Sequence, residues 1–282
     1  MKRTAAVLFT LVAAGAMTVL AGPPAQAVPG LGFVSASSAL DGADTKSVSV
    51  VCPAGTKPFG GGFFVSGGAG GRISVTRLQA LPSSNTFAVT ATEAVDGAPA
   101  AWRLHGYATC APAPAGLTYV SSGTVSDSGS AKAATATCPA GTKVIGTGVR
   151  LSGDAGQVVV DDIQPAAALG SVTAWAYEDS TGYAGNWSLT AHATCAAPLA
   201  GLSLQSADTL PADSADDAVG ATCPGGTRVH GLGGSVTGAT GRVFYGGLYP
   251  AADLTSAVAV PIAQQAGFAG TWSTRVFAIC AN

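Results

Sequence analysis

Apolar and polar residues alternate with a period of two through much of this chain. Trp102, Leu104, Gly106, Ala108 and Cys110 take every second position of one segment. Trp187, Leu189, Ala191, Ala193 and Cys195 repeat the arrangement, as do Trp272, Thr274, Val276, Ala278 and Cys280. Side chains alternate across a strand, so each set shares one face and places a tryptophan and a cysteine in the same core. Val48, Val50 and Cys52 form a shorter set of this kind, matched by Ala134, Ala136 and Cys138 and by Val219, Ala221 and Cys223. Beyond the N-terminal segment, apolar spacing of three and four never persists for two turns, so no long amphipathic helix is expected.

The alternation recurs because the sequence does. It restarts at Cys52, Cys138 and Cys223 as C-P-A-G-T-K, C-P-A-G-T-K and C-P-G-G-T-R, with a period of about 85 residues. Internal self-similarity of this length marks a repeat architecture. The copies tile residues 28–114, 115–199 and 200–282. The joins are short and hold Pro112, Pro114 and Pro198, so neighbouring copies must touch. Each copy reads as about six strands: in the first, one near 31–35, the strand into Cys52, a glycine-spotted strand, two more near 72–78 and 87–94, and the closing strand. Gly60 and Gly62 match Gly146 and Gly148, and Gly231 and Gly233. Glycine inside a strand implies a close neighbour, and the copy's own tryptophan is the expected one. The fold class is all-β, built from three antiparallel repeats. Two packings fit: one prism-like body with approximate threefold symmetry, each sheet making a side, or three small sandwiches in a row.

Composition supports this picture. Glycine, 39 of 282 residues, is at about twice its usual share, which suits many short strands and tight turns. Residues 1–27 read as a secretory leader: Lys2 and Arg3, an apolar run over 5–20, then Ala25, Gln26 and Ala27 as a small-residue cleavage site. No later apolar stretch approaches the roughly 20 residues of a membrane span, so release outside the cell is expected. All six cysteines follow the leader, which fits an oxidising compartment. The repeat makes pairing within copies the simplest: Cys52 with Cys110, Cys138 with Cys195, Cys223 with Cys280. Setting the leader aside, 11 basic and 15 acidic residues remain, with no basic run, so nucleic acid is not an expected partner.

Candidate chemistry is sparse. No G-x-S-x-G elbow, no C-x-x-C and no phosphate-binding glycine loop occurs. His105 and His192 fall on the outer face of closing strands at non-equivalent positions, and His230, which replaces Phe59 and Ile145, reads as a half-buried structural histidine. Asp161 and Asp162 are adjacent on a strand and should point to opposite faces. Asp213, Asp216 and Asp217 read as a solvated turn rather than a calcium site, and Asp41 and Asp127 as Asx turns. Lys57, Lys143 and Arg228 repeat after P-x-G-T as solvated cations, or as equivalent contacts to an acidic polymer. Trp102, Trp187 and Trp272 repeat and belong to the core. Trp175 and Tyr177 do not repeat; they align with Thr90 and Thr92, and are the candidate ligand-binding pair. No cofactor, metal or catalytic residue is expected.

The C-P-x-G opening, the Gly-x-Gly strand and the final W-x-L-x-A-x-A-x-C-A resemble a repeat of exported actinobacterial proteins of unassigned function. That resemblance covers the chain beyond the leader and implies export without implying an activity. The C-P-x-G opening is also similar to vitelline membrane outer layer protein, which implies a β-prism of three sheets and an egg-coat role. Together these readings predict a secreted, non-catalytic binding or surface-associated protein that contacts an extracellular glycan, envelope polymer or protein. The alternatives are a structural extracellular or spore-surface protein without small ligand, and an inhibitor of an extracellular enzyme.

Overall fold

The computed structural model describes residues 28–67, 71–154, 156–211, 218–264 and 267–282. The leader and the acidic stretch Asp213, Asp216 and Asp217 lie outside the described residues. Each copy supplies six strands, as the alternation predicts. The first has β1 (Gly32–Ser37), β2 (Thr45–Val51), β3 (Lys57–Gly67), β4 (Ile73–Leu81), β5 (Thr86–Glu93) and β6 (Trp102–Ala111). The second has β7 (Thr118–Gly123), β8 (Ala131–Thr137), β9 (Lys143–Ser152), β10 (Val158–Pro165), β11 (Ser171–Glu178) and β12 (Ser188–Ala196). The third has β13 (Ser203–Asp208), β14 (Val219–Thr222), β15 (Arg228–Thr237), β16 (Val243–Pro250), β17 (Ser256–Ala263) and β18 (Ser273–Ala281).

The strands form three six-stranded antiparallel sheets in a pseudo-threefold arrangement, and no sheet belongs to a single copy. The orders are β1-β6-β3-β16-β17-β14, β13-β18-β15-β10-β11-β8 and β2-β5-β4-β9-β12-β7. Each copy therefore gives three strands to each of two sheets, and each sheet joins two copies. The seams are β3 with β16, β10 with β15 and β4 with β9, which closes a ring of copies. This excludes three separate sandwiches. The sheets are named below by the copies they join: first–third, second–third and first–second.

The repeated motifs each have a local cause. In C-P-x-G-T, the Pro53 carbonyl accepts both the Thr56 amide (3.1 Å) and the Thr56 hydroxyl (2.7 Å), while Gly55 takes φ +81°. A type II turn needs positive φ at that position, which glycine adopts without penalty. The disulfides pair within copies as expected, each with a Cα–Cα distance of 5.7 Å. Each also ties an edge strand of one sheet to the second strand of another, so the three bridges staple the three sheets pairwise. Trp102 and Trp187 are fully buried; their Nε1 atoms donate to Glu93 (2.6 Å) and Glu178 (3.3 Å). Lys46 and Lys132 lie over these rings at 4.9 and 4.8 Å and pair with Asp41 and Asp127. The indole face and the carboxylate compensate the burial of each ammonium. Asp41 and Asp127 also accept the Ala43 and Gly129 amides, as Asx turns.

The glycine-spotted strands serve the centre of the molecule rather than the tryptophans. A Cβ at Gly231 would stand 2.6 Å from the Gly146 Cα, and one at Gly60 would stand 3.1 Å from the Gly231 Cα. The three glycines meet backbone to backbone, one from each copy. Just before each, the register of β3, β9 and β15 shifts by one residue, at Phe59, Ile145 and His230. These bulged residues are fully buried; Phe59 and Ile145 join Val28, Ala111, Ala196, Leu199 and Ala281 in a small apolar cluster, and His230 stacks on Phe59 at 6.0 Å. His230 is thus a fully buried residue, not a half-buried one.

Two outcomes follow from this packing. Trp187→Ala should cost roughly 3–5 kcal/mol in denaturant unfolding, the usual range for emptying a large core site; an unchanged midpoint would contradict the packing described. Gly231→Ala should prevent stable folding, whereas Gly225→Ala, where an added Cβ meets nothing within 4 Å, should change stability by about 0.5 kcal/mol or less.

Candidate functional site

The outward-facing positions of the three sheets are where the copies differ. Pairing across each seam places equivalent residues in one row. In the first–third sheet the row holds Gly247, Phe64, His105 and Ser37. In the second–third sheet it holds Ala133, Trp175, Asp162, and then Ser235, Arg275 and Asp208. In the first–second sheet it holds Ser47, Thr90, Arg77, Arg150, Thr190 and Gly123. A shared scaffold thus presents an aromatic face, a face with an indole and the Asp208–Arg275 ion pair, and a cationic hydroxyl-rich face.

The first–third face carries five partly exposed rings in a connected run. Phe33 stacks on Tyr107 with centroids 5.6 Å apart, Tyr107 meets Tyr249 at 5.6 Å, Tyr249 meets Phe64 edge-on at 5.8 Å, and Phe64 meets His105 at 6.1 Å. The run crosses the seam: Phe33, Phe64, His105 and Tyr107 come from the first copy, and Tyr249 from the third. Tyr107 lies opposite Gly62, and a Cβ at Gly62 would stand 2.8 Å from the Tyr249 Cα, so the two tyrosines flank a strip of bare backbone. His105 is fixed from both sides, its Nδ1 by Ser37 Oγ and its Nε2 by Ser66 Oγ, each at 2.8 Å. Burial, with Arg103 nearby, lowers its pKa below the usual imidazole value. The second partner is another serine rather than a carboxylate, so the ring is held in place without the orienting acid of a serine-hydrolase triad.

Trp175 and Tyr177 lie where the alternation put them, on the outer face of the second–third sheet, partly exposed. Trp175 sits opposite Asp162 and Tyr177 opposite Val159, with the Tyr177 Cβ packed near Gly241 of the third copy. The alignment with Thr90 and Thr92 holds, since Thr90 lies opposite Arg77 as Trp175 lies opposite Asp162. The pair is separate from the five-ring run, which lies on a different sheet.

Asp161 and Asp162 differ from expectation. A bulge between Val160 and Asp162 breaks the simple alternation, and both carboxyls are buried. Asp161 accepts the Gly241 amide at 3.2 Å and Asp162 the Val236 amide at 2.9 Å, so both grip the third copy. Burial, reinforced by Asp162, pushes the Asp161 carboxyl up to about 8, and burial pushes Asp162 up to about 6. One Asp161 oxygen and the Tyr245 hydroxyl are buried without a partner. The raised pKa values make a proton the fitting occupant there.

The repeated cations after P-x-G-T start strands. Lys143 donates to the Ala168 carbonyl at 2.7 Å and Arg228 to the Thr227 carbonyl at 3.0 Å. Among the described residues, no group of three or more His, Cys, Asp or Glu could hold a metal ion, and no helix is long and apolar enough to cross a membrane. No protein-family model matches the chain, and no curated protein matches it either. The five-ring run was missed in the sequence. Its residues occupy outward positions on four strands, and the long-range pairing that gathers them, β1 with β6, β6 with β3 and β3 with β16, leaves no local signal.

Asp161 sets a pH dependence with a definite sign. A carboxyl whose folded pKa lies above its unfolded value stabilises fully below about pH 4, and loses that contribution as pH rises through about 8. Half-buried His192 and buried His230, with pKa values lowered by desolvation, act in the opposite sense below their ordinary value of about 6.5. Comparison with Asp161→Asn isolates the carboxyl. Between pH 5 and pH 8 the wild-type protein should lose up to roughly 3 kcal/mol relative to that variant in denaturant unfolding; parallel curves would contradict the burial described.

Proposed function

We propose that this chain is a secreted, non-catalytic binding protein whose aromatic first–third face holds an extracellular glycan. The observation that carries the reading is the run of Phe33, Tyr107, Tyr249, Phe64 and His105 across the outer face of one sheet. Sugar rings offer apolar C–H faces that stack on aromatic rings, and tyrosine hydroxyls and imidazole nitrogens suit their hydroxyls. The leader and three disulfides support export. Three sheets stapled at their margins, with glycines meeting at the centre, support a prism-like body in which each face is a separate surface. Trp175 and Tyr177 form a second, smaller contact on the neighbouring face. The reading requires no cofactor.

The test is retention of the purified protein on insoluble polysaccharides and cell-wall preparations. Each aromatic contact adds about 0.5–1.5 kcal/mol beyond area burial, so Tyr107→Ala and Tyr249→Ala should each weaken retention several-fold while the protein stays folded, with a thermal midpoint lowered only by the lost ring–ring contacts. Trp175→Ala should have a smaller effect. If the wild-type protein is retained on no polysaccharide, a structural coat role or an enzyme-inhibitor role replaces this reading, and capture of a protease or glycosidase separates those two.

A further inference from the structure

The first–second face bears a feature that the scaffold does not require and that electrostatics opposes. Arg77 of β4 and Arg150 of β9 are directly opposite each other across the seam. Like charges in that position destabilise a sheet. The Arg77 Nε donates to Gln79 Oε1 at 2.8 Å, and no hydrogen bond from the other guanidinium nitrogens of either arginine occurs among the described residues. Neither arginine has an ion-pair partner there, whereas Arg72 and Arg275 pair with Asp96 and Asp208. None of the outward strand positions of this face holds a carboxylate; the flanking side chains are hydroxyls such as Ser47, Thr90 and Thr190. Burial and Arg150 lower the Arg77 pKa below the usual guanidinium value. The same seam is built from Asp162 and Ser235, or Gly247 and Phe64, elsewhere in the molecule, so packing does not demand the cation pair.

Beside the pair lies a depression. Gly148, kept bare by the close approach of the Leu78 backbone, sits between Gln79 and His192 in the next row. Gln79, His192, Ser121, Thr194 and Tyr119 border a cleft of about 200 Å³ there. His192 Nε2 is buried without a partner, and its pKa falls to about 4 through burial and the adjacent Arg77 and Arg150. The cation pair lies one row away from this cleft, and Gln79 and His192 stand between the two.

We propose that Arg77 and Arg150 form an oxyanion-binding site that takes the sulfate or phosphate group of an extracellular polymer, with Gln79 and His192 walling the cleft beside it. A tetrahedral oxyanion between two guanidinium groups converts a repulsive pair into two charge-assisted contacts, each of the fork type that arginine forms best. The inference is independent of the glycan platform, which lies on another sheet.

The test titrates the folded protein with inorganic sulfate and with inorganic phosphate, following the Arg77 and Arg150 Nε–H resonances by NMR. It then measures affinity for dextran sulfate and for polyphosphate, which separates the two sources of oxyanion. Both arginine resonances should move on titration. Arg77→Gln and Arg150→Thr should each weaken polymer binding about tenfold or more, and Gly225→Ala, far from both faces' side-chain clusters, should leave it unchanged. The thermal midpoint of Arg150→Thr without ligand should equal or exceed that of the wild type, because a like-charge contact is removed; this also shows that the variant folds. Unmoved arginine resonances, or a double variant that binds both polymers as tightly as the wild type, would overturn the assignment.

Discussion

The contact on which the rest of this structure depends is the meeting of three backbones at Gly60, Gly146 and Gly231. With side chains at these positions, the third strands of the copies could not approach, and the seams of β3 with β16, β9 with β4 and β15 with β10 could not form together. The adjoining bulges turn Phe59, Ile145 and His230 into a small apolar plug beside the junction. The Thr109 hydroxyl closes the same region, accepting the Gly60 amide at 3.1 Å and donating to the His230 carbonyl at 2.5 Å. Glycine at this place is a consequence of repeat packing, and the conservation of its position in all three copies follows from geometry alone.

Closure has a second consequence. Because every sheet is shared, no copy can satisfy its own third and fourth strands, whose hydrogen-bonding edges are covered only by neighbours. The disulfides act on the same problem from outside, joining the sheets near their margins while the glycines join them at the centre. The hydrophobic core is accordingly continuous through all three copies, running from Val50 and Trp102 through Trp187 to Trp272 and Cys280. Stability is a property of the assembled ring, even though the repeats look self-contained in sequence.

A scaffold held from within leaves its outer faces free to diverge. Equivalent seam positions carry Phe64 and Gly247, Asp162 and Ser235, or Arg77 and Arg150, with no change in strand order or register. The bare backbone strip created by Gly62, Gly148 and Gly233 appears on each face, and its borders differ: tyrosines on one, glutamine and histidine on another, Phe277 on the third. Departure from threefold sameness is therefore concentrated on the outer faces, whereas repetition governs the interior.

The sequence alone was enough for everything governed by local periodicity. The number of strands, their inward faces, the tryptophan cores, the C-P-x-G-T turns and the disulfide pairing are all consequences of spacing two, or of a motif seen three times. The same alternation puts Trp175 and Tyr177 on the face of β11 opposite Val172, Ala174 and Ala176, where the structure leaves them partly exposed. The sequence could not show which copy each strand would pair with, because a strand's edge carries no mark of its partner; hence the spacing of the glycines suggests tryptophan packing, and only the structure reveals the central junction. It could not show the bulges, which buried both Asp161 and Asp162 and carried His230 fully inside, since a one-residue register shift depends on the opposing strand. The aromatic run and the Arg77–Arg150 pair are invisible for the same reason: their members are far apart in the chain, and only strand pairing, within the first copy and across a seam, makes them neighbours.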